Sequence, residues 1–256
     1  MRISSDQESH AILPIGSRTI THRSTVLTTV PNSPLSGFAE AIRSIKLAAD
    51  LNGKKGSNVI IGITSSLPNE GKSTIAVALA QVVAQVGRRV IVVDCDLRNP
   101  SLSRALAPTA TIGIIEVLSG ECSICEAIWT DPATKMAFLP AVINAKLIDT
   151  SEILSSALTE KLFGQLRQSY DYVVIDLPPI IPVVDVRATA HLMDFYFFVV
   201  EWGCTKIDVV QHALNTADGV LDKLAGVVLN KANMDDIGRY DAHIYYYKNY
   251  YKKNMD

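Results

Sequence analysis

Apolar residues along the middle of the chain fall into six short continuous runs separated by segments with helical spacing. Continuous runs of this length are typical of strands covered on both faces. We predict strands at 59–64, 90–94, 136–139, 172–176, 195–200 and 226–230. Helical spacing predicts helices at 37–51, 72–86, 113–119, 123–129, 159–169, 185–192 and 207–218. This alternation predicts an α/β fold, a mostly parallel sheet with helices on both faces, and places ligands at the carboxyl ends of the strands.

The two ends of the chain have a different composition from this middle. Residues 1–35 are rich in Ser and Thr and carry three prolines, which predicts a flexible leader. We expect one α/β domain over 36–237, opening with a helix that Ser36 caps. Residues 238–256 form a tail that holds six of the nine tyrosines of the chain. The tail has no clean helical or strand period, so we expect its role to be chemical.

Composition and charge restrict the function only broadly. The chain has 256 residues, 48% of them hydrophobic, and this is enough for one large core. Its formal net charge of −2 gives no general attraction to nucleic acid or to an anionic membrane. No stretch of about twenty apolar residues is present, and no secretory signal is recognisable. The sequence therefore predicts a cytoplasmic location and no nucleic-acid partner.

A phosphate-binding loop follows the first core strand. Residues 64–74 read TSSLPNEGKST, and a helical pattern starts directly afterwards. Backbone N–H groups at such a helix start favour phosphate oxygens, Lys72 is expected to reach the β- and γ-phosphates, and Ser73 to hold Mg²⁺. Ser66 replaces the first glycine of the general pattern. The predicted nucleotide-binding residues of this loop are Ser66, Leu67, Pro68, Asn69, Glu70, Gly71, Lys72, Ser73 and Thr74.

Three carboxylates are predicted at the edge of the sheet where this loop lies. Asp94 ends the second strand, Asp96 follows it, and Asp176 ends the strand at 172–176. Phosphoryl transfer needs a metal clamp and a group that receives the proton of the acceptor. We predict Ser73, Asp94 and Asp176 as the Mg²⁺ ligands, and Asp94 or Asp96 as the proton acceptor. The sequence does not separate the roles of these two, nor does it decide whether Arg98 contacts a phosphate or one of these carboxylates.

The last predicted strand indicates which base is bound. It ends in Asn230-Lys-Ala-Asn233, which is similar to a guanine-reading Asn-Lys-x-Asp element except that Asn233 replaces the aspartate. That replacement disfavours GTP. Asn230 retains the ability to hydrogen-bond adenine, so we predict ATP as the nucleotide.

Taken together, these residues resemble those of the bacterial tyrosine kinases that accompany capsule and exopolysaccharide synthesis. The resemblance covers about 36–233. It rests on the phosphate loop, on the Asp94-Cys-Asp96-Leu-Arg98 segment, on Ile175-Asp176-Leu-Pro-Pro179 and on the tyrosine tail. It implies a P-loop kinase domain over 36–237 that uses ATP and Mg²⁺, with Lys72, Asp94 and Asp96 as catalytic residues. The implied phosphate acceptors are Tyr240, Tyr245, Tyr246, Tyr247, Tyr250 and Tyr251.

The resemblance also implies partners. The family's Glu-x-x-Arg-x-x-Arg helix, which joins subunits in a ring, is matched here by Glu40, Arg43 and Lys46, with lysine in place of the last arginine. A tail is then expected to be phosphorylated by a neighbouring subunit. Such kinases work with a transmembrane activator, separate or fused, which places the chain at the inner face of the cell membrane. A phosphotyrosine phosphatase is the expected opposing enzyme.

Two other functions remain open at this point. A partitioning or division-site ATPase shares the fold, but that class carries a lysine where this chain has Leu67, five residues before Lys72. A non-catalytic module that senses ATP and regulates polysaccharide export by assembly alone is the second alternative. An unmodified tail in the presence of MgATP would favour the module.

Overall fold

The computed structural model describes residues 18–21, 36–53, 57–143 and 149–233. Within them an eight-stranded sheet has the order β1-β4-β5-β3-β6-β2-β7-β8, and all neighbouring strands are parallel except β4 and β5. The α/β prediction is confirmed. The strands are β1 Arg18–Thr19, β2 Val59–Ser65, β3 Val90–Asp94, β4 Trp129–Thr130, β5 Ala137–Leu139, β6 Tyr172–Asp176, β7 Phe195–Glu201 and β8 Leu224–Asn230.

The central strands are buried on both faces, which explains their uninterrupted apolar sequences. Every residue of β2 and β3 is buried, and one apolar cluster covers each face of the sheet. Because β3 and β6 pair in parallel with Asp94 opposite Asp176, two of the predicted carboxylates end adjacent strands at the same edge.

Ten helices connect these strands in the described residues. They are α1 Gly37–Asn52, α2 Lys72–Gln85, α3 Ser101–Leu106, α4 Ile114–Ser119, α5 Ile124–Ala127, α6 Thr150–Ser155, α7 Ala157–Ser169, α8 Asp185–Ala188, α9 Ile207–Asn215 and α10 Asp218–Leu221. None of the described helices is long and apolar enough to span a membrane.

Several element boundaries differ from the sequence prediction. The helix predicted at 185–192 ends at Ala188 and continues as turns closed by hydrogen bonds between residues three apart. The helix predicted at 207–218 ends at Asn215, and the separate helix α10 follows. The short elements β1, β4, α3 and α6 were not predicted, because two to six residues are too few to show a period.

Helix α1 begins as the sequence predicts. The Ser36 hydroxyl accepts a hydrogen bond from the backbone N–H of Ala39 at 3.2 Å. The helix buries Ala39, Ile42, Ile45 and Ala49, and Phe38 and Ala48 pack partly buried against the same cluster.

A short stretch of the predicted leader belongs to the sheet. Arg18–Thr19 pairs with Trp129–Thr130, and the Ile20 side chain is only 1% exposed in one of the two apolar clusters. The prediction of a flexible leader therefore does not hold for residues 18–21. The other residues of 1–35 lie outside the described residues, as does the tail at 238–256.

Candidate nucleotide-binding site

The phosphate loop connects the end of β2 to the first turn of α2, as predicted. Gly71 precedes the helix at φ +97°, a conformation that side chains other than glycine's rarely adopt. A Cβ there would lie 1.9 Å from Nδ2 of the Asn230 side chain, so a larger residue would displace the amide that donates to the Glu70 carbonyl. No side chain caps α2. Its first N–H groups therefore remain available to a phosphate.

A cavity of about 490 Å³ opens in front of this helix start. Its volume is within the range of small-molecule sites. Arg98, Asn99, Pro178 and Lys231 complete one side of it. The predicted site residues that line it are Pro68, Asn69, Gly71, Lys72, Ser73, Thr74 and Asp96.

Lys72 lies between two carboxylates in the floor of this cavity. Its Nζ donates a hydrogen bond to Asp96 Oδ2 at 2.9 Å and lies 3.7 Å from Asp176 Oδ1. Burial lowers the pKa of Lys72, but the charges of Asp176 and Asp96 outweigh burial, so this pKa is raised and the amine stays protonated. A permanent cation is thus held where the phosphates of a nucleotide are expected.

Asp176 is a fully buried carboxylate whose charge is opposed chiefly by that of Lys72. Neither oxygen has a hydrogen-bond partner among the described residues, and the side chain is fully buried. Burial raises the pKa of Asp176 to about 6, while Lys72 opposes the rise. The buried Ser66 hydroxyl also lacks a partner in the described part of the chain. Unsatisfied oxygens beside a phosphate loop fit a hydrated Mg²⁺, which keeps several waters and takes few protein ligands.

Asp94 has a different environment from Asp96 and Asp176. Its Oδ2 accepts from the backbone N–H and the hydroxyl of Ser103, at 2.9 and 2.7 Å, and its Oδ1 accepts from Asp96 N. Burial, followed by the charge of Asp176, raises the pKa of Asp94 to about 7. Asp94 does not line the cavity. Its contacts hold the loop that carries Asp96, and its predicted catalytic and metal-binding roles stay predictions.

Glu70 braces the phosphate loop from behind. Its Oε2 accepts from Leu67 N at 2.7 Å, and its Oε1 accepts from Glu201 N at 3.1 Å and from the Thr205 hydroxyl. The side chain is 2% exposed and does not line the cavity. Glu70, a predicted nucleotide-binding residue, is therefore positioned to support the phosphate loop.

The end of β8 is a second support for the same loop. Asn230 Nδ2 donates to the Glu70 carbonyl at 2.8 Å, and Lys231 Nζ donates to the Asn69 carbonyl at 2.7 Å. Lys231 also pairs with Glu201 at 2.9 Å. An amide that holds the loop in this way has a structural use in addition to the predicted contact with adenine.

Arg98 pairs with a carboxylate that sequence reasoning missed. Its Nε and Nη2 donate to the two oxygens of Asp185, at 3.1 and 3.2 Å, and the Thr150 hydroxyl donates to Asp185 Oδ2 at 2.6 Å. Asp185 is fully buried. No local motif marks it, because its partner Arg98 lies 87 residues earlier in the chain.

Comparison with known proteins agrees with this geometry. Residues 58–222 match the family model described as an AAA domain. The chain is 30% identical over 195 residues to the tyrosine-protein kinase CpsD of Streptococcus agalactiae, an alignment that covers 76% of this chain and 82% of CpsD. It belongs to the bacterial tyrosine kinases.

Two further comparisons show how much of each relative this chain matches. The succinoglycan biosynthesis transport protein ExoP of Rhizobium meliloti is 38% identical over 232 residues, which cover 88% of this chain but only 30% of ExoP. The crystal structure of the VpsO kinase domain superposes with a TM-score of 0.67 at 28% identity, covering 79% of this chain and 98% of that one. The chain thus matches nearly all of the VpsO kinase domain but less than a third of the length of ExoP.

The remaining predicted residues of this kinase domain fall into two groups. Glu40 and Arg43 form an ion pair along α1, and Lys46 Nζ lies 2.6 Å from Asp50 Oδ2 one turn further on. These side chains are partly exposed, and their predicted role in assembly stays a prediction. The predicted phosphate acceptors between Tyr240 and Tyr251 lie outside the described residues.

Proposed function

We propose that this kinase domain transfers the γ-phosphoryl group of ATP to the tyrosine tail of a neighbouring copy, and that the tail's phosphorylation state regulates exopolysaccharide or capsule polymerisation and export. The observation that carries the proposal is the placement of Lys72. It is buried at a helix start, in ion-pair contact with Asp96 and Asp176, and lines a cavity of nucleotide size. CpsD is named a tyrosine-protein kinase and ExoP a succinoglycan biosynthesis transport protein.

The proposed reaction moves one phosphoryl group and one proton. A tyrosine oxygen attacks the γ-phosphorus, the bond from that phosphorus to the β,γ-bridging oxygen breaks, and ADP leaves. Lys72 exchanges its contact with Asp96 for the phosphate oxygens and neutralises charge on them. This exchange leaves Asp96, which lines the cavity, free to accept the phenol proton. Phenol has a pKa of about 10, so the carboxylate must be held in position beside it.

Magnesium fits the donor set of this site. Ser73 and Asp176 would hold it, whereas Asp94, the third predicted ligand, does not line the cavity and would act by holding the loop that carries Asp96. When bound, Mg²⁺ supplies positive charge to the phosphates. Asp176 remains buried beside Lys72 in either case and fixes the position of the amine.

Partners follow from the same proposal. A homo-oligomeric ring joined through Glu40, Arg43 and Lys46 would bring each tail to a neighbour's cavity. A transmembrane activator, separate or fused, would hold the ring at the inner face of the cell membrane, and a phosphotyrosine phosphatase would reset the tail. Each phosphate adds about −1.5 to −2 charges. A fully phosphorylated tail would therefore be repelled by the carboxylates of the kinase site.

The test is phosphate mapping on the purified chain. Wild type, Lys72→Met and the exposed control Lys161→Met are incubated with MgATP, and phosphate is located by intact mass and peptide sequencing. We expect several phosphates between Tyr240 and Tyr251 in wild type and control, and none in Lys72→Met. Tail phosphorylation that persists in Lys72→Met would refute the proposed chemistry.

The two alternatives predict other outcomes of this experiment. A sensing module binds ATP and leaves the tail unmodified, even after a candidate activator segment is added. A partitioning or division-site ATPase hydrolyses ATP without modifying the tail, and Leu67 at the position of its signature lysine counts against it.

A further inference from the structure

Asp185 is a fully buried carboxylate at the start of α8. Arg98 donates to both of its oxygens, from Nε at 3.1 Å and from Nη2 at 3.2 Å. Thr150, the first residue of α6, donates its hydroxyl to Oδ2 at 2.6 Å. The orientation of the carboxylate is therefore set by two helices, and it in turn sets the orientation of the arginine.

The Arg98 guanidinium is the accessible half of this ion pair. Its side chain is 43% exposed and lines the nucleotide cavity, whereas the Asp185 side chain has no exposed surface. A guanidinium has five N–H groups, and the bonds to Asp185 use one on Nε and one on Nη2. The other three, on Nη1 and Nη2, are not used by this pair. A cation of fixed orientation thus lies at the wall of the cavity.

The strand order shows which end of a nucleotide this cation meets. The central part of the sheet has the order β3-β6-β2-β7-β8, and the phosphate loop follows β2. Lys231 follows β8 on one side of β2, Arg98 follows β3 on the other, and both line the cavity. With adenine beside Asn230, as the sequence predicts, the γ-phosphoryl group extends toward β3. Arg98 is then at the end where transfer takes place, two residues after Asp96.

Buried ion pairs contribute little net stability compared with apolar side chains that fill the same space. Stability alone therefore does not account for a buried aspartate that binds an exposed arginine at a cavity wall. The fixed geometry of the guanidinium is the property that the pair provides.

We propose that Asp185 is a positioning residue of the kinase, which holds the Arg98 guanidinium against the γ-phosphoryl group during its transfer. This role presupposes the proposed tail phosphorylation. Negative charge is spread over the oxygens of the phosphoryl group that moves. A planar fork of N–H donors matches those oxygens better than a point charge does, and donors fixed in advance need no reorganisation when the reaction occurs. Asp185 acts from behind Arg98 and contacts no substrate.

The test is a double-mutant cycle on the full chain, with phosphotyrosine measured over time at saturating MgATP. Asp185→Asn keeps the shape but removes the charge that holds the guanidinium, and we expect it to lower the rate constant about tenfold or more. Arg98→Ala should lower it about a hundredfold, the usual effect of losing one preorganised donor. Because Asp185 acts through Arg98, adding Asp185→Asn to Arg98→Ala should cost less than about twofold more.

Two further measurements separate positioning from a loss of folding. ADP lacks the γ-phosphoryl group, so calorimetric titration should give the same MgADP affinity for Asp185→Asn as for wild type, and thermal melting shows whether the variant is folded. The matched control is Asp171→Asn, since Asp171 pairs with Arg89 at the opposite edge of the sheet, and it should leave the rate constant unchanged. If Asp185→Asn does not fold, Arg98→Lys replaces it. That variant keeps the charge beside Asp185, loses the fork, and should be about tenfold slower.

The positioning role is refuted if Asp185→Asn, or Arg98→Lys in its place, phosphorylates the tail as fast as wild type. It is also refuted if Asp185→Asn costs as much in the Arg98→Ala background as alone, or if MgADP affinity falls as far as the rate constant. A wild type that forms no phosphotyrosine would instead refute the proposed function, and this role with it.

Discussion

At the scale of single residues, the site is defined by how a few buried charges are partnered. Lys72 has two carboxylates beside it, Asp94 has three protein donors, and Asp176 has none among the described residues. The carboxylates at this edge of the sheet therefore differ in how many hydrogen-bond donors contact them. Asp176 therefore keeps both oxygens available to a bound ion. Burying its charge without such a ligand destabilises the fold.

This destabilisation has a testable pH dependence. The pKa of Asp176 in the folded protein is raised to about 6, above the value of about 3.9 in an unfolded chain. Stability from this group is therefore complete below about pH 4 and is lost as the pH rises through about 6. We expect Asp176→Asn to raise the free energy of unfolding of the nucleotide-free protein by about 1–3 kcal/mol at pH 7.5, and by about half as much at pH 5. Urea denaturation at both pH values measures this.

The exposed Asp208→Asn is the matched control for that measurement and should change stability little at either pH. An equal gain for Asp176→Asn at pH 5 and pH 7.5 would mean that its carboxylate does not titrate in this range.

At the scale of elements, the phosphate loop depends on strands remote from it in sequence. Glu70 connects the loop to β7, and Asn230 and Lys231 connect it to the end of β8. Because β8 is the last strand of the sheet, the loop geometry is completed only when the whole sheet has formed.

Replacing Asn230 separates its structural role from base recognition. Asn230→Ala removes the donor to the Glu70 carbonyl, and we expect it to weaken binding of an ATP analogue and a GTP analogue equally, by about tenfold. The exposed Asn215→Ala on α9 is the control. Titration with both analogues gives the ratio of affinities, and a change in that ratio would show that Asn230 contacts the base.

The short edge strand β1 is a second test at this scale. Ile20 follows it and is buried against one face of the sheet, so Ile20→Ala should lower the free energy of unfolding by about 2–4 kcal/mol. Val227→Ala, at a side chain 49% exposed on β8, should cost less than about 1 kcal/mol. Urea denaturation compares the two. Equal small losses would indicate that residues 18–21 contribute nothing to the stability of the domain.

At the scale of the whole molecule, the proposed kinase needs a second copy, because a tail must reach a neighbour's cavity. The predicted contact is formed by Glu40, Arg43 and Lys46 of α1. Exposed ion pairs on a helix contribute little to the stability of one chain, so charges there can be reversed without unfolding it.

Arg43→Glu tests this assembly. We expect it to abolish oligomers in light scattering while changing the free energy of unfolding by less than about 1 kcal/mol. Autophosphorylation, measured by phosphotyrosine content, should fall with it. Lys161→Glu is the control and should leave both unchanged. Oligomers of unaltered size in Arg43→Glu would show that the copies meet elsewhere.

The sequence by itself determined the features that local order controls. Continuous apolar runs predicted the main strands because buried parallel strands need them. The Gly71-Lys72-Ser73 core predicted the helix start, and the aspartates that end β3 and β6 predicted which edge carries the chemistry. These signals lie within a few residues of one another and do not depend on the rest of the fold.

Only the tertiary structure decided how those residues are partnered. Lys72 forms ion pairs with Asp96 and Asp176. Asp94 accepts a hydrogen bond from Ser103, and Arg98 pairs with Asp185. The tertiary structure also placed Ile20 in the core. Such contacts join segments up to more than a hundred residues apart, and they form only when packing brings the segments together, so no local pattern records them.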